Sequence, residues 1–302
     1  MILNKLSLRD QKLFNRYFDL IPQELAAFSF TNIFIWRTLY TIEWTVIEQS
    51  LCVFFRDAVG CFMYLPPLAA GKPRPVAIQQ AFAIMDKINK NRDISRIENI
   101  PQEDLVHYRS LGYICHEKYP DYLCLRSDLA CLKGNKFKSQ RAAYNYFIKH
   151  NNYDARKFGL ADRRDCLSLF NLWVKERKAQ CNDDLYCGML EDNRKVIKAA
   201  LVNYKQLGLE GIVVRVNKKI KAFSFGYRLN YNTFCILYEI TDLAIKGLAQ
   251  FIFRQFSQEL KDYKYINIMD DSGLENLRKT KLAYKPARLV PAYIVTCDGR
   301  KH

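Results

Sequence analysis

Apolar and polar positions alternate along this chain in two successive runs, each carrying strand and helix patterns. Ser29 to Tyr40, "SFTNIFIWRTLY", opens on cap-forming residues and turns aromatic and aliphatic, which predicts a short buried helix. Three β-like runs follow, "TIEWTVIEQ", "LCVFFRD" and "CFMYLPPL", rich in branched and aromatic residues and ended by Pro66-Pro67. From about Val76 to Asn89, the positions Ile78, Phe82, Met85 and Asn89 share one helical stripe. A helix is expected after Pro101, then an extended run "YLCLRSDL", then a helix from about Asn135. On that helix Phe137, Arg141, Tyr144 and Ile148 fall on one face. The stripe thus includes a guanidinium, and Arg141 is expected to meet an anion.

The second run restarts with a strand and helix in "YDARKFGLADRRDCLSLFNLWVKERKAQ", followed by a helix from about Asn193 to Leu207 that Gly208 ends. Three strands come next, with turns at "NKK" and "LNYN", and then a helix from about Ile245 with Leu248, Ile252, Phe256 and Leu260 on one face. The strand "YKYINIMD" closes the pattern. Both halves therefore read as α/β, with mixed, mostly antiparallel sheets flanked by helices in an arrangement consistent with a diverged duplication. The expected division is 1–150 and 151–302.

Composition narrows the partners. With 302 residues, 49% of them hydrophobic, the chain can build one large domain or two of ordinary size, and its formal charge of +16 favours polyanions such as nucleic acid, anionic lipid or phosphorylated cofactors. No run approaches the roughly 18 apolar residues of a spanning helix, and "MILNKLSLRDQK" lacks a secretory core, so a cytoplasmic location is expected. The ten cysteines are scattered through apolar segments, as reduced core thiols are. The nearest approaches to a zinc pattern, Cys181 with Cys187 and Cys115-His116, have unconvincing spacing, so no metal site is expected. Four histidines, two of them His150 and His302 in polar surroundings, argue against histidine-based catalysis.

Candidate chemistry concentrates late in the chain. Glu239 is the only carboxylate in "FCILYEIT", and a charge in a central strand costs several kcal/mol unless it is partnered. Burial there would raise its pKa toward the working range of a general base, and the same carboxylate could hold an ammonium group. Lys246 and Gly247 stand at a strand-to-helix junction, where free N–H groups can receive phosphate. After Asp270-Asp271 comes a basic strip, Arg278, Lys279, Lys281, Lys285 and Arg288, suited to a phosphodiester backbone or anionic headgroup. Lys281 points toward the core edge, whereas Lys279 stands four residues after Glu275 and is placed to pair with it. Asp270, Lys279 and Tyr284 are further candidates for substrate contact.

The segments "FSFTNIFIWR", "CFMYLPPLA", "DYLCLRSDLACLKGNKFKSQRAAYNYF", "AFSFGYRLNYNTFCILYEIT" and "INIMDDSGLENLRKTKLAYKPARLV" resemble, in order and spacing, the family of the phosphatidylglycerol lysyltransferase C-terminal domain. The resemblance spans nearly the whole chain. It implies two acyltransferase domains of the GNAT type in tandem, the second catalytic. It also implies transfer of an aminoacyl group from aminoacyl-tRNA to a hydroxyl acceptor such as phosphatidylglycerol, with no cofactor. By that resemblance Glu239 receives the amino acid's ammonium or assists deprotonation of the acceptor. Arg278 and Lys281 hold phosphate or oxyanion, and Lys136 and Arg141 match a basic segment at the cleft. Ala142 stands where the family often has asparagine, and Gln140 where it often has a second base. Peripheral association with the inner membrane face accompanies this reading. Two other readings remain: a CoA-dependent N-acyltransferase with pyrophosphate at Lys246-Gly247, and a non-enzymatic RNA- or membrane-binding module on the same scaffold. A pure polyanion binder, however, gains nothing from Glu239.

Overall fold

The structure is a computed structural model that describes residues 2–21, 23–180 and 183–297. In chain order its elements are β1 (Asn4–Lys5), α1 (Gln11–Leu20), α2 (Phe30–Ile35), β2 (Thr41–Ile47), β3 (Ser50–Arg56), β4 (Cys61–Met63), α3 (Pro75–Ile88), β5 (Ile97–Pro101), α4 (Leu105–Ser110) and β6 (Ile114–Leu125). Two helices follow, α5 (Arg126–Cys131) and α6 (Lys138–His150). Then come β7 (Tyr153–Lys157), α7 (Arg163–Ala179), α8 (Asp184–Val202), β8 (Glu210–Val216), β9 (Lys219–Arg228), β10 (Thr233–Thr241), α9 (Leu248–Glu259), β11 (Tyr265–Asn267), α10 (Glu275–Ala283) and β12 (Arg288–Thr296). The series from β1 to β6 and from β7 to β12 run through strands and helices in the same order. Even the tight turns correspond: Glu48-Gln49 joins β2 to β3 and Asn217-Lys218 joins β8 to β9, each pair with both φ angles positive. That geometry matches the right-handed twist of the strands it connects.

Two compact units result. One comprises residues 1–121, 270–274 and 289–302, the other 122–269 and 275–288. The division falls at Asp121/Tyr122 instead of residue 150, because α5 and α6 pack on α9 and the end of β6 pairs with β11. Each unit contains a strand from the other half of the sequence: β12 pairs antiparallel with β5, and Leu123–Leu125 of β6 pair with Tyr265–Asn267.

In the first unit, β2 and β3 form a regular antiparallel hairpin and α3 covers the sheet with Ile78, Phe82 and Met85, all buried as expected. Pro75 starts α3 where no N–H is needed. Asn89, the polar member of that stripe, exchanges hydrogen bonds with the Cys61 backbone, accepting from its N–H at 2.6 Å and donating to its carbonyl at 2.8 Å. In the second unit, β11, β10, β9 and β8 lie side by side, with β10 parallel to β11 and antiparallel to β9. α9 packs its predicted stripe, Leu248, Ile252, Phe256 and Leu260, against this sheet.

Several elements differ from the sequence reading. α8 begins at Asp184, nine residues before Asn193, because Asp183 caps it by accepting from the N–H groups of Leu185 and Tyr186. α1 and β12 were not anticipated, since α1 carries one fully buried apolar residue, Phe14, and the β12 sequence contains Pro291, which reads against a strand. Cys181 and His302 lie outside the described residues. The nine described cysteines are free thiols, five of them buried.

Asp162, buried at the start of α7, ties the edge of the second unit together. It accepts from Arg156 at 2.6 and 2.8 Å and from Arg215 at 3.0 Å. Burial pushes its carboxyl pKa up, but the guanidinium and Gly159 N–H bonds outweigh that and hold it below the usual carboxylate value. Its stability contribution is therefore complete above pH about 4 and is lost as pH falls through the depressed folded-state pKa. Asp162→Asn should lower unfolding free energy by about 2 kcal/mol at pH 7, discounted for the half-exposed arginines. Urea denaturation at pH 7 and pH 3 should show that gap closing in acid.

Candidate active site

Glu239 sits near the end of β10, and a bulge decides which way it faces. Ile236 pairs with Gly226 and Tyr238 with Phe225, so Leu237 is an extra residue in the ladder. Phe234 and Ile236 face α9; with the bulge, Glu239 takes that face and Tyr238 the other, where its ring meets Phe225 and Phe170. β10 and β11 pair only from Thr233/Tyr265 to Cys235/Asn267, and the ladder between them stops there. Glu239 lies beyond that end, on the stretch of β10 that β11 no longer covers.

The carboxyl has one bonded partner among the described side chains. Tyr284, just after α10, donates its hydroxyl to Glu239 Oε1 at 3.1 Å. Its ring stacks on Phe253 of α9 with centroids 3.9 Å apart, and Gln140 of α6 donates to the Ala283 carbonyl, so two helices hold the tyrosine in place. Glu239 and Tyr284 both keep some accessible surface although protein atoms surround them on nearly every side. The pair is thus half-buried and closely surrounded by protein. Burial raises the Glu239 pKa to about 8, the Tyr284 hydrogen bond pulling the other way, so at neutral pH the group is mostly an uncharged acid. Burial, then the neighbouring Glu239, pushes Tyr284 well above its usual value.

The expected cations do not converge on this acid. Lys281 points inward, as predicted, but its ammonium donates to the carbonyls of Ile268 and Met269 just past β11 and lies 5.9 Å from the Tyr122 ring centroid. No cation contributes to the Glu239 shift. Arg141 meets no anion among the described residues: its guanidinium donates to the carbonyls of Leu132 and Gly134, closing the loop behind α5. The charge is thus satisfied by backbone acceptors in the loop that follows α5. Ile148 turns outward and Gln140 and Phe147 inward, so the stripe is rotated from its expected position. Lys136 pairs with Asp128 at 2.6 Å. Lys279 pairs with Glu275 at 3.5 Å, as its spacing suggested, and Arg278 is exposed beside it. Asp270, in the other unit, accepts from the Ser272 N–H and hydroxyl and so builds a turn.

At the α9 entry, Gly247 has φ +82°, and a Cβ there would meet the Ala143 carbonyl oxygen at 2.1 Å. Close packing of α6 thus accounts for the glycine by itself. Lys246 is exposed and lies 4.7 Å from the Tyr146 ring centroid. A separate open groove of about 500 Å³ at the start of α7, lined by Leu160, Arg163, Arg164 and Leu167 among others, holds none of these residues.

Residues 18–296 match the family described as "Phosphatidylglycerol lysyltransferase, C-terminal". The chain belongs to that family. A conserved protein of unknown function from Bacteroides thetaiotaomicron is 28% identical, with a TM-score of 0.86 over 98% of this chain and 99% of its own. L-PGS from Bacillus licheniformis, 15% identical, superposes with a TM-score of 0.66 over 100% of this chain and 95% of that one. A tandem GNAT protein from the clavulanic acid biosynthesis pathway, 8% identical, gives 0.52 over 97% of each. No curated protein matches. Family and fold together make this an acyltransferase of tandem GNAT architecture. No helix among the described residues is long and apolar enough to cross a membrane.

The raised Glu239 pKa has a measurable cost. The folded protein binds a proton that the unfolded chain, with a value near 4.5, releases, so stability falls as pH rises from about 4.5 and levels off above about 8. Glu239→Gln should remove that slope and leave the protein more stable than wild type at pH 9 by on the order of 5 kcal/mol, and equal at pH 4. Denaturant titrations across this range check it. Gly247→Ala should cost about 2 kcal/mol or more at any pH, read as a lower Tm.

Proposed function

We propose that this protein transfers an aminoacyl group from an aminoacyl-tRNA to a hydroxyl acceptor such as the headgroup of phosphatidylglycerol, with Glu239 as general base. The observation that carries the proposal is the half-buried Glu239–Tyr284 pair, whose carboxyl pKa near 8 is suited to exchanging a proton at physiological pH. Membership of a family named for lysyl transfer to phosphatidylglycerol supports an aminoacyl group and a lipid hydroxyl as the reacting partners, and the aminoacyl-tRNA donor is part of the proposal. The formal charge of +16, with Arg278 exposed on α10, suits a polyanionic donor and an anionic lipid surface.

The reaction needs no covalent enzyme intermediate. Ionised Glu239 accepts the proton of the acceptor hydroxyl as its oxygen attacks the ester carbonyl. The tetrahedral oxyanion collapses, the bond from the carbonyl carbon to the ribose oxygen breaks, and that oxygen leaves with the proton returned from Glu239. Tyr284 holds the carboxyl in register and favours its ionised form. Arg278 and Lys281 are the proposed cationic groups for phosphate or oxyanion, Lys281 after exchanging a carbonyl partner.

In the CoA-dependent reading, pyrophosphate would lie at Lys246-Gly247. Packing already explains that glycine, so the feature that prompted this reading no longer favours it.

The test uses labelled aminoacyl-tRNA and phosphatidylglycerol vesicles, with lipid-linked label as readout. Below pH 8 the rate should rise about tenfold per unit and then reach a plateau. Glu239→Gln should lose about 100-fold or more. Tyr284→Phe removes a bond that lowers the Glu239 pKa, so its rising limb should move to higher pH. Unchanged transfer by Glu239→Gln would remove the assignment. Thermal stabilisation by micromolar acetyl-CoA, with none by aminoacyl-tRNA, would select the CoA-dependent reading.

A further inference from the structure

β9 places an unused hydroxyl opposite the acid. Ser224 is the direct cross-strand partner of Glu239, and its side chain faces the same side of the sheet as Ala222, toward α9. The residue has 0% exposure, and its Oγ is buried without a hydrogen-bond partner. Such a group costs free energy when left unpaired, so a position that needed only small size would be better filled by alanine. Glu239 Oε1 takes the Tyr284 hydroxyl, while Oε2 has no hydrogen bond among the described residues. Directly opposed residues hold their Cβ atoms about 5 Å apart, a gap that serine and glutamate side chains span after a change of rotamer.

We propose that Ser224 is a positioning residue for the proton-exchanging acid: its hydroxyl turns to donate to Glu239 Oε2 when the carboxyl ionises and is released when the proton returns. An acid that cycles between charge states in a poorly solvated setting needs a donor that is idle in one state and engaged in the other. A permanent ion pair would instead lock the carboxylate. Tyr284 and the polar groups around it do not fill that role. Tyr284 is bonded to Oε1, Lys281 is held on the Ile268 and Met269 carbonyls, and burial pushes Cys124 of β6 to about 12. α9 contributes the Phe253 ring against Tyr284.

The proposal rests on Glu239 as the base, but it is read without turnover. Carboxyl-labelled glutamate NMR, with the Glu239 signal assigned by its loss in Glu239→Gln, gives the titration directly. Ser224→Ala should raise the Glu239 pKa by about half a unit to one unit, since a donor to the charged form is lost. Thr233→Val is the control: Thr233 Oγ1 is equally buried and unpartnered, on β10 but six residues away, and should leave the titration unchanged. At pH 5, Ser224→Ala should be at least as stable as wild type. An unmoved Glu239 pKa in Ser224→Ala, an equal shift in Thr233→Val, or a lower Tm for Ser224→Ala at pH 5 would each overturn the proposal. Absence of aminoacyl transfer with the pKa shift intact would count against the proposed reaction and not against this bond.

Discussion

The candidate site in the second unit is built around a carboxyl held in a place where charging it is expensive. Glu239 occupies a central strand, takes one hydroxyl as partner and is neutralised by burial rather than by a cation. A neighbouring lysine would have lowered its pKa and produced a permanently ionised pair, stable and inert in acid–base terms. The bulge at Leu237 is what makes the arrangement possible. Without the extra residue, Glu239 would share the face of Phe223 and Phe225, among stacked rings, and Tyr238 would face α9. One inserted residue therefore decides whether the strand presents an acid or a phenol beneath Tyr284.

α10 serves two environments at once. Its inner side supplies Lys281, which fastens the helix to the carbonyls beyond β11, and leads into Tyr284, which reaches Glu239. Its outer side carries Arg278 and Lys279 in solvent. The basic strip is thus not one electrostatic patch. The lysine nearest the core anchors the element that orients the acid, and the exposed cations are left for a polyanion. α6 supports the same point from behind, through Gln140 at the Ala283 carbonyl and Ala143 against Gly247.

The fold was legible because its cues are local. Alternation gave the hairpins, and the stripes of α3 and α9 are buried as read, whereas the helix that Gly208 was expected to end already stops at Val202 and a turn fills the interval. Glu239 was legible for a related reason: a single acid in an apolar strand is visible without knowing its neighbours. What stayed hidden is whatever depends on contacts across sequence. Arg141 looked like a buried charge in need of an anion, but the two carbonyls that satisfy it are seven and nine residues away, in a loop whose path no periodicity specifies. Gln140 looked like a missing base, and its use as a donor to a carbonyl 143 residues on could not be anticipated. Ser224, one small residue in "AFSFG", acquires meaning only from the register that sets it opposite Glu239.

The repeat explains why the boundary was misplaced. Two series of like elements invite a cut midway, in the gap between them, and residue 150 falls there. But a sheet exposes unpaired N–H and C=O groups along its edge, and each half of this chain supplies the strand that covers an edge of the other half's sheet. β12 completes the hydrogen bonding of β5, and the last residues of β6 complete that of β11, with α5 and α6 carried along onto α9. A fragment cut at 150 would therefore lose Gln140 and Ala143, which hold Tyr284 and seat Gly247. The helices preceding the apparent second domain belong to its site, and the acid of β10 is held ready by residues from both sides of that cut.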